Sequence, residues 1–474
     1  MLDHARWAAR AYATYSKDAV DRIVAAVART AADHAAKYAE WAVRETGLGV
    51  AEHKVVKNLA CSTGLPPSDH VSPRVDASGK IVSVPRPAGV VLALTPSTNP
   101  VATVYFKVLL ALMTRNAIVV SPHPLARECC ADAARLLGEA AVAAGAPDGV
   151  VQVVTEPTIP LIESLMGDVD LVLATGGPDV VRASYRSGTP ALGVGPGNVP
   201  VLVDRTASVE EAAREIADSK SFDHSILCTN ESVLIVEDAV HDRLVAALAR
   251  HGAHLVDPDG LRVAVGERGN IGQSAASIAE RAGLRVPPGT RVLLAPFDLV
   301  VPEEPLAREK LMPVLGLVRV PSLAAGIRAA RAVLRISGAG HSAAIHSTDP
   351  AAVLEYGAAV PALRVVVNTG SSLGSAGITT GLAASMTIGT GYMGGSSVGE
   401  NLTPGHLVNW TRVAYPADAP FPDFSGEDPW AAVQGATPPY PQASNSLRAP
   451  ARDTALREEI RRLILEELQA LRGR

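Results

Sequence analysis

From about residue 18 to residue 45, alanine and other strong helix formers dominate and apolar positions fall at helical spacing, so the chain is predicted to open on helices. After a Pro/Ser loop near residues 66–73 the pattern changes. Short apolar runs at 89–94, 117–120, 150–154, 171–174 and 199–203 alternate with helical stretches at 101–113, 126–144, 158–166 and 179–187. Strand and helix repeated in this order predict a parallel sheet wrapped by helices, a doubly wound nucleotide-binding architecture. A second α/β set follows residue 204, with a helix at 209–219, a strand at 232–236, a helix at 241–251 and further strands at 315–320 and 364–367. That predicts a second domain. Beyond residue 415 the prolines at 416, 420, 422, 429, 438, 439, 441 and 450, interleaved with Ser, Gly, Ala and Asn, predict an extended linker. It ends at 453–472, where Leu456, Ile460, Leu463, Ile464, Leu468 and Leu471 recur at three- and four-residue steps among Arg and Glu, the pattern of a short amphipathic helix on a tether.

A chain of 474 residues with 47% hydrophobic content can bury more than one core, which fits two or three domains. Its formal charge is only −5 and its lysines and arginines are spread along the chain, so neither nucleic acid nor an anionic membrane has an electrostatic footprint to bind. Residues 1–30 show no cleavable leader, and no apolar run of about eighteen residues occurs, so a cytoplasmic location is expected. The four cysteines make no disulfide framework and none has zinc-ligand spacing, so no metal is expected. Cys129 and Cys130 fall in an Ala/Leu-rich helical stretch and read as small core residues.

Cys228, in Lys220-Ser-Phe-Asp-His-Ser-Ile-Leu-Cys-Thr-Asn-Glu231, lies between a helix and a β-branched strand, where functional side chains collect. Taken alone it reads more readily as a buried, inert thiol. Asn99, in Leu94-Thr-Pro-Ser-Thr-Asn-Pro100, closes the first strand of the predicted parallel sheet and opens a helix, at the edge where such sheets bind ligands. Its amide can hold a developing oxyanion, or it can serve as the N-cap before Pro100. Ala174-Thr-Gly-Gly-Pro-Asp179 puts glycines between a strand and a helix, leaving N–H groups for a pyrophosphate, although the spacing is not GxGxxG. Gly193-Val-Gly-Pro-Gly-Asn-Val-Pro200 is a further glycine-rich turn, or a plain chain reversal.

Taken in this order, and with Glu45-Thr-Gly-Leu-Gly, Ser121-Pro-His-Pro124, Glu309-Lys-Leu-Met-Pro313, Gly338-Ala-Gly-His-Ser342, Val367-Asn-Thr369 and Gly394-Gly-Ser-Ser-Val-Gly-Glu-Asn401, these segments resemble the aldehyde dehydrogenase superfamily. The branch they resemble is the CoA-acylating one, related to the acetaldehyde and propionaldehyde dehydrogenases, and the likeness runs to about Tyr415. It implies an α/β fold: a Rossmann-like domain for NAD and CoA over 1–203 (with 80–85 as an oligomerisation segment), an α/β catalytic domain over 204–406 and an oligomerisation strand at 407–415. The linker is then 416–452 and the C-terminal helix 453–474. Carried over by position, Cys228 resembles the thiolate nucleophile, Asn99 and the Cys228 N–H the oxyanion hole, and His341 a proton acceptor. Glu309 resembles the carboxylate on the nicotinamide ribose, although from its Glu/Arg/Lys-rich surroundings alone it reads as a solvated charge. Thr95, Pro96, Ser97, Ser121, His123, Gly176, Gly177, Gly195 and Leu311 are the remaining cofactor-binding positions the resemblance implies.

Two departures from the hydrolytic branch bear on the reaction. Hydrolytic members carry a glutamate base in a turn ahead of the nucleophile; the matching turn here puts Val194 at that place, and valine cannot deprotonate water. Thiolate attack, hydride loss to NAD and a thioester on Cys228 need no such base, and transfer to the thiol of CoA follows naturally. Ser121-Pro-His-Pro124 stands where many hydrolytic members have a lysine on the adenosine ribose, which leaves NAD against NADP open, with NAD typical of the acylating branch. The tether and its helix resemble the encapsulation peptides that dock enzymes into bacterial microcompartments, through shell or cargo proteins; packing on the chain's own oligomer and a disordered remnant are the alternatives. Short aldehydes, acetaldehyde or propionaldehyde with sulfoacetaldehyde third, are the implied substrates, and a homodimer or homotetramer the implied assembly. A hydrolytic dehydrogenase and a catalytically silent scaffold are the competing readings.

Overall fold

The computed structural model describes residues 1–67, 69–433, 435, 440 and 441. The body of the chain spans Met1–Thr437. It begins with four helices, Leu2–Tyr12, Lys17–Asp33, Ala35–Thr46 and Ala51–Ala60. Ser16 starts the second by accepting the Ala19 N–H, and Gly47 ends the third in the left-handed region at φ 70°. These helices cover a five-stranded parallel sheet in the order Val151–Val153, Ala117–Ser121, Val90–Leu94, Leu171–Ala174, Ala191–Gly193. The three central strands are buried at every position, which is why they read as unbroken apolar runs rather than as an alternation. The chain moves outward from Val90–Leu94 on one side and then returns to build on the other. The reversal opens a crevice at the carboxyl ends of Val90–Leu94 and Leu171–Ala174, where doubly wound sheets take their ligands.

A second, seven-stranded parallel sheet has the order Ala253–Leu255, Val292–Pro296, Val314–Val320, Glu231–Glu237, Val199–Val203, Gly340–His346, Ala362–Val367. Separate apolar clusters pack on its two faces, one built around Ile235, Val318 and Leu334, the other around Leu234, Leu244 and Leu317. The boundary expected at residue 203 is corrected here. Val199–Val203 pairs with Glu231–Glu237 and Gly340–His346, so the crossover between the sheets lies before it, in the glycine-rich turn.

A third, antiparallel sheet joins Arg74–Asp76, Ile81–Pro87 and Val408–Ala414. The two segments expected to meet a neighbour thus pair with each other within one chain. The first part of the expected linker is not extended into solvent. Phe421 and Phe424 pack on Tyr415, the Val433 carbonyl accepts the Ser16 N–H at 2.9 Å, and the Arg115 guanidinium lies 4.3 Å from the Trp430 ring centroid. Aromatic side chains within a proline-rich segment give it apolar surface to bury, and that outweighs the flexibility its composition suggests. The expected amphipathic helix at 453–474 lies outside the described residues. Among the described residues no helix is long and apolar enough to cross a membrane.

Arg115 is only 1% exposed; no carboxylate among the described residues lies within ion-pair distance, so the charge of Asp428 acts from further off while the Trp430 face lies directly against the guanidinium. Trp430→Ala is expected to lower stability by about 1–2 kcal/mol, seen as a lower urea midpoint. An unchanged midpoint would mean that residues 416–433 are not anchored as described.

Candidate active site

The carboxyl ends of the five-stranded sheet face the segments that lead into two strands of the seven-stranded sheet, and a cavity of about 280 Å³ lies at this junction. Leaving Leu94, the chain turns through 95–98 and enters the helix Pro100–Leu112 at Asn99, with proline at the first helical position. Asn99 occupies the N-cap position, but its side chain makes no capping bond. Its Oδ1 instead accepts a hydrogen bond from Lys57 Nζ at 2.5 Å. Lysine only donates, so the Asn99 Nδ2 hydrogens must face the other way; Nδ2 lies 3.3 Å from Thr98 Oγ1, and the residue lines the cavity.

On the opposite wall the helix Val209–Ser221 runs into a left-handed turn. Asp223, His224 and Ser225 have φ of 50°, 49° and 60°, which costs on the order of 1–2 kcal/mol for each residue other than glycine. Cys228 follows, half-buried, just before the strand Glu231–Glu237. Burial, and then the charge of Glu309, push its thiol up to about 12. Glu309 lines the same cavity, and its Oε1 accepts the Gly197 N–H at 3.0 Å. Burial pushes its carboxyl up to about 8, against the pull of the Gly197 N–H, Lys220 and Lys310. It is therefore not the solvated charge its neighbours in sequence suggest, and the nucleophile candidate has a carboxyl group close by, contrary to the sequence argument. Position 197 must be glycine for a steric reason: a Cβ there would be driven into the Cys228 carbonyl oxygen.

The cavity gathers Cys228, Asn99, Pro96, Ser97, His123, Gly176, Gly177, Gly195, Glu309 and Leu311. Val194 is also on its wall, at the position the hydrolytic base would fill. Thr95 and Ser121 are not. Both are buried in the strand layer beneath, where the Thr95 N–H donates to the Ser121 carbonyl at 3.1 Å. His341 is also off the wall. It is fully buried, with Nδ1 3.1 Å from Ser342 Oγ, and burial together with the Arg364 cation pushes it down to about 3. So enclosed and so reluctant to take a proton, the ring does not have the setting expected of a proton acceptor. Sequence reasoning missed the apolar wall formed by Ile226, Leu227, Ala376, Met386 and Ile388. These come from irregular segments without period; only Ile226 and Leu227, beside the cysteine, could have been inferred from neighbourhood.

The model of the aldehyde dehydrogenase family matches residues 1–267. The bifunctional aldehyde-alcohol dehydrogenase AdhE of Escherichia coli (strain K12) is 36% identical over 439 residues, which cover 88% of this chain and 49% of that protein. The chain therefore spans about half the length of that relative. Among solved structures, an acetylating aldehyde dehydrogenase from Geobacillus thermoglucosidasius superposes with a TM-score of 0.86 at 36% identity, covering 89% of this chain and 96% of the other. A propionaldehyde dehydrogenase from Rhodopseudomonas palustris, with bound CoA and an acylated cysteine, superposes with a TM-score of 0.80 at 28% identity, covering 87% and 95%. The chain belongs to the aldehyde dehydrogenase family, and its mixed α/β fold of parallel sheets is that of the acylating members.

A thiol held at about 12 carries a thiolate fraction that rises tenfold with each pH unit well below that value. Alkylation of Cys228 by iodoacetamide in the ligand-free protein, followed by peptide mapping, is expected to accelerate about tenfold per unit from pH 7 to pH 10 without levelling. Levelling above about pH 9 would show an ordinary thiol and contradict the burial described.

Proposed function

We propose that this chain oxidises a short, uncharged aldehyde, acetaldehyde or propionaldehyde, to an acyl thioester on Cys228 and passes the acyl group to CoA. The observation that carries the reading is that Cys228 and Asn99 line one cavity together with Val194, which the resemblance puts at the place of the hydrolytic base. The acylated cysteine and bound CoA of the Rhodopseudomonas palustris relative support the same order of events.

Cys228 loses its thiol proton to solvent, Sγ adds to the aldehyde carbon, and the carbonyl oxygen gains negative charge. Asn99 Nδ2 and the Cys228 backbone N–H are the donors assigned to that oxygen, in a site walled by Ile226, Leu227 and Met386 that keeps solvent from competing. Loss of hydride from the same carbon leaves the thioester. The cofactor groups fit the residues present: Gly176 and Gly177 lead into the helix Pro178–Arg186, whose first turn offers N–H groups to phosphate, and Glu309 offers a carboxyl group to ribose hydroxyls. NAD, when bound, supplies the hydride acceptor. Val194 gives water no base and Glu309 is disposed to hold its proton, so the thioester waits for a thiol, whose sulfur attacks the acyl carbon as Cys228 departs and takes up the thiol's proton.

Charge on the wall bears on the choice of aldehyde. No lysine or arginine is among the residues lining the cavity, whereas a sulfonate or carboxylate on the substrate would need a cation to replace its water. This favours acetaldehyde and propionaldehyde over sulfoacetaldehyde.

With propionaldehyde and NAD, steady NADH formation is expected only when CoA is present, and without CoA it should stop at about one equivalent per chain. Sulfoacetaldehyde should be the poorer substrate by about tenfold or more in kcat/KM. Sustained NADH formation without CoA would turn the reading to hydrolysis, and a preference for sulfoacetaldehyde would overturn the substrate assignment.

A further inference from the structure

The helix Ala51–Ala60 buries two lysines one turn apart, Lys54 at 3% and Lys57 at 1% exposure. Both reach a single carboxylate 166 or more residues away, Asp223: Lys54 Nζ bonds Oδ2 at 3.0 Å, and Lys57 Nζ bonds the same oxygen. Two cations against one anion leave a surplus positive charge inside the protein. A purely structural pair would need one lysine, because each buried ion carries a desolvation cost that only a partner offsets. Lys54 Nζ also donates to the Thr98 carbonyl at 3.3 Å, whereas the second lysine finds a side-chain acceptor. Lys57 Nζ also donates to Asn99 Oδ1.

We propose that Lys57 and Asp223 are positioning residues that turn the Asn99 amide and hold it in register with the Cys228 loop. The proposal rests on the reading of Asn99 as the oxyanion donor. An asparagine amide can flip and present its oxygen to the cavity, which would repel a developing oxyanion. A cation on Oδ1 forbids that flip, and by polarising the amide it makes the Nδ2 hydrogens stronger donors. The same ammonium is fixed to the loop that carries the nucleophile. Asp223 opens the left-handed run, and its Oδ1 accepts the Val50 N–H at 2.6 Å while its own N–H donates to His53 Nδ1 at 2.8 Å. His224, next in that run, places Nδ1 3.0 Å from the Gly272 carbonyl. One helix, Ala51–Ala60, and the residue before it thus set both the donor and the turn that leads to Cys228.

The test is a double-mutant comparison in the full-length chain, reading kcat and KM for propionaldehyde oxidation with NAD and CoA, with thermal midpoints recorded for each variant. Lys57→Met is expected to lower kcat by about tenfold or more while KM for the aldehyde stays within about threefold. In an Asn99→Ala background the same substitution should cost under about twofold, because the amide it positions is gone. Lys57→Gln keeps a donor to Oδ1 and should recover about threefold or more of the loss; if Lys57→Met does not fold, Lys57→Gln in the two backgrounds carries the comparison. Lys54→Met removes an equal charge from Asp223 and a bond to the Thr98 carbonyl but leaves the Asn99 side chain its cation, and should cost less than Lys57→Met. Equal losses in both backgrounds, or equal losses from the two lysines, would overturn the proposal while a slow Asn99→Ala left the oxyanion reading standing. An Asn99→Ala variant as fast as the unmodified chain would instead remove that reading, and this proposal with it.

Discussion

The junction between two parallel sheets governs this molecule. Strands end at Leu94 and Ala174 on one side, and strands begin at Val199 and Glu231 on the other, so both sheets deliver irregular backbone to the same place. Backbone that leaves a strand cannot satisfy its polar groups through the ladder, and here a side chain holds it: Glu309 takes the Gly197 N–H. The close passage of Gly197 over the Cys228 carbonyl ties the crossover turn directly to the nucleophile loop.

Buried charge surrounds this junction on two sides, with different consequences. Beside Asn99, Lys54 and Lys57 outnumber Asp223, and although burial alone would raise the Asp223 carboxyl, the two cations and the hydrogen bonds from Lys57 and Val50 hold it below its ordinary range. Beside Cys228, Glu309 is pushed up by burial, and Lys220 is pushed down by burial against the opposing pull of Glu231 and Glu309. A cationic environment suits an oxygen that becomes negative. A carboxyl disposed to hold its proton keeps a second full negative charge away from the sulfur. Arg364 adds a further cation nearby, caged by the carbonyls of Gly340, His341, Gly389 and Gly399, and it contributes to making His341 a poor base.

Much of the fold was legible because its central strands are short β-branched runs set between helices. Sheet membership was not: nothing in the residues of Val199–Val203 says which sheet it joins, since that depends on partners at Glu231–Glu237 and Gly340–His346. Ala253–Leu255 is too short to carry a period, and the anchoring of 416–433 lay in Trp430, Phe421 and Phe424 rather than in the prolines around them. Cys228, Asn99 and Glu309, singled out by motif and position, all line the cavity. Thr95, Ser121 and His341 were drawn in by the same motifs, yet burial removes all three from the cavity wall. Lys57 and Asp223 were invisible, because a lysine on a polar helix face looks solvated until its distant partner is known.

The central claim is that the acyl group resides on Cys228. Intact-mass measurement of a reaction quenched after mixing the protein with propionaldehyde and NAD, without CoA, tests it most directly. The account predicts one added propionyl group per chain, mapped to Cys228 and absent from Cys228→Ala. An unmodified chain that has nonetheless produced NADH, or an adduct on Cys61, Cys129 or Cys130, would contradict it.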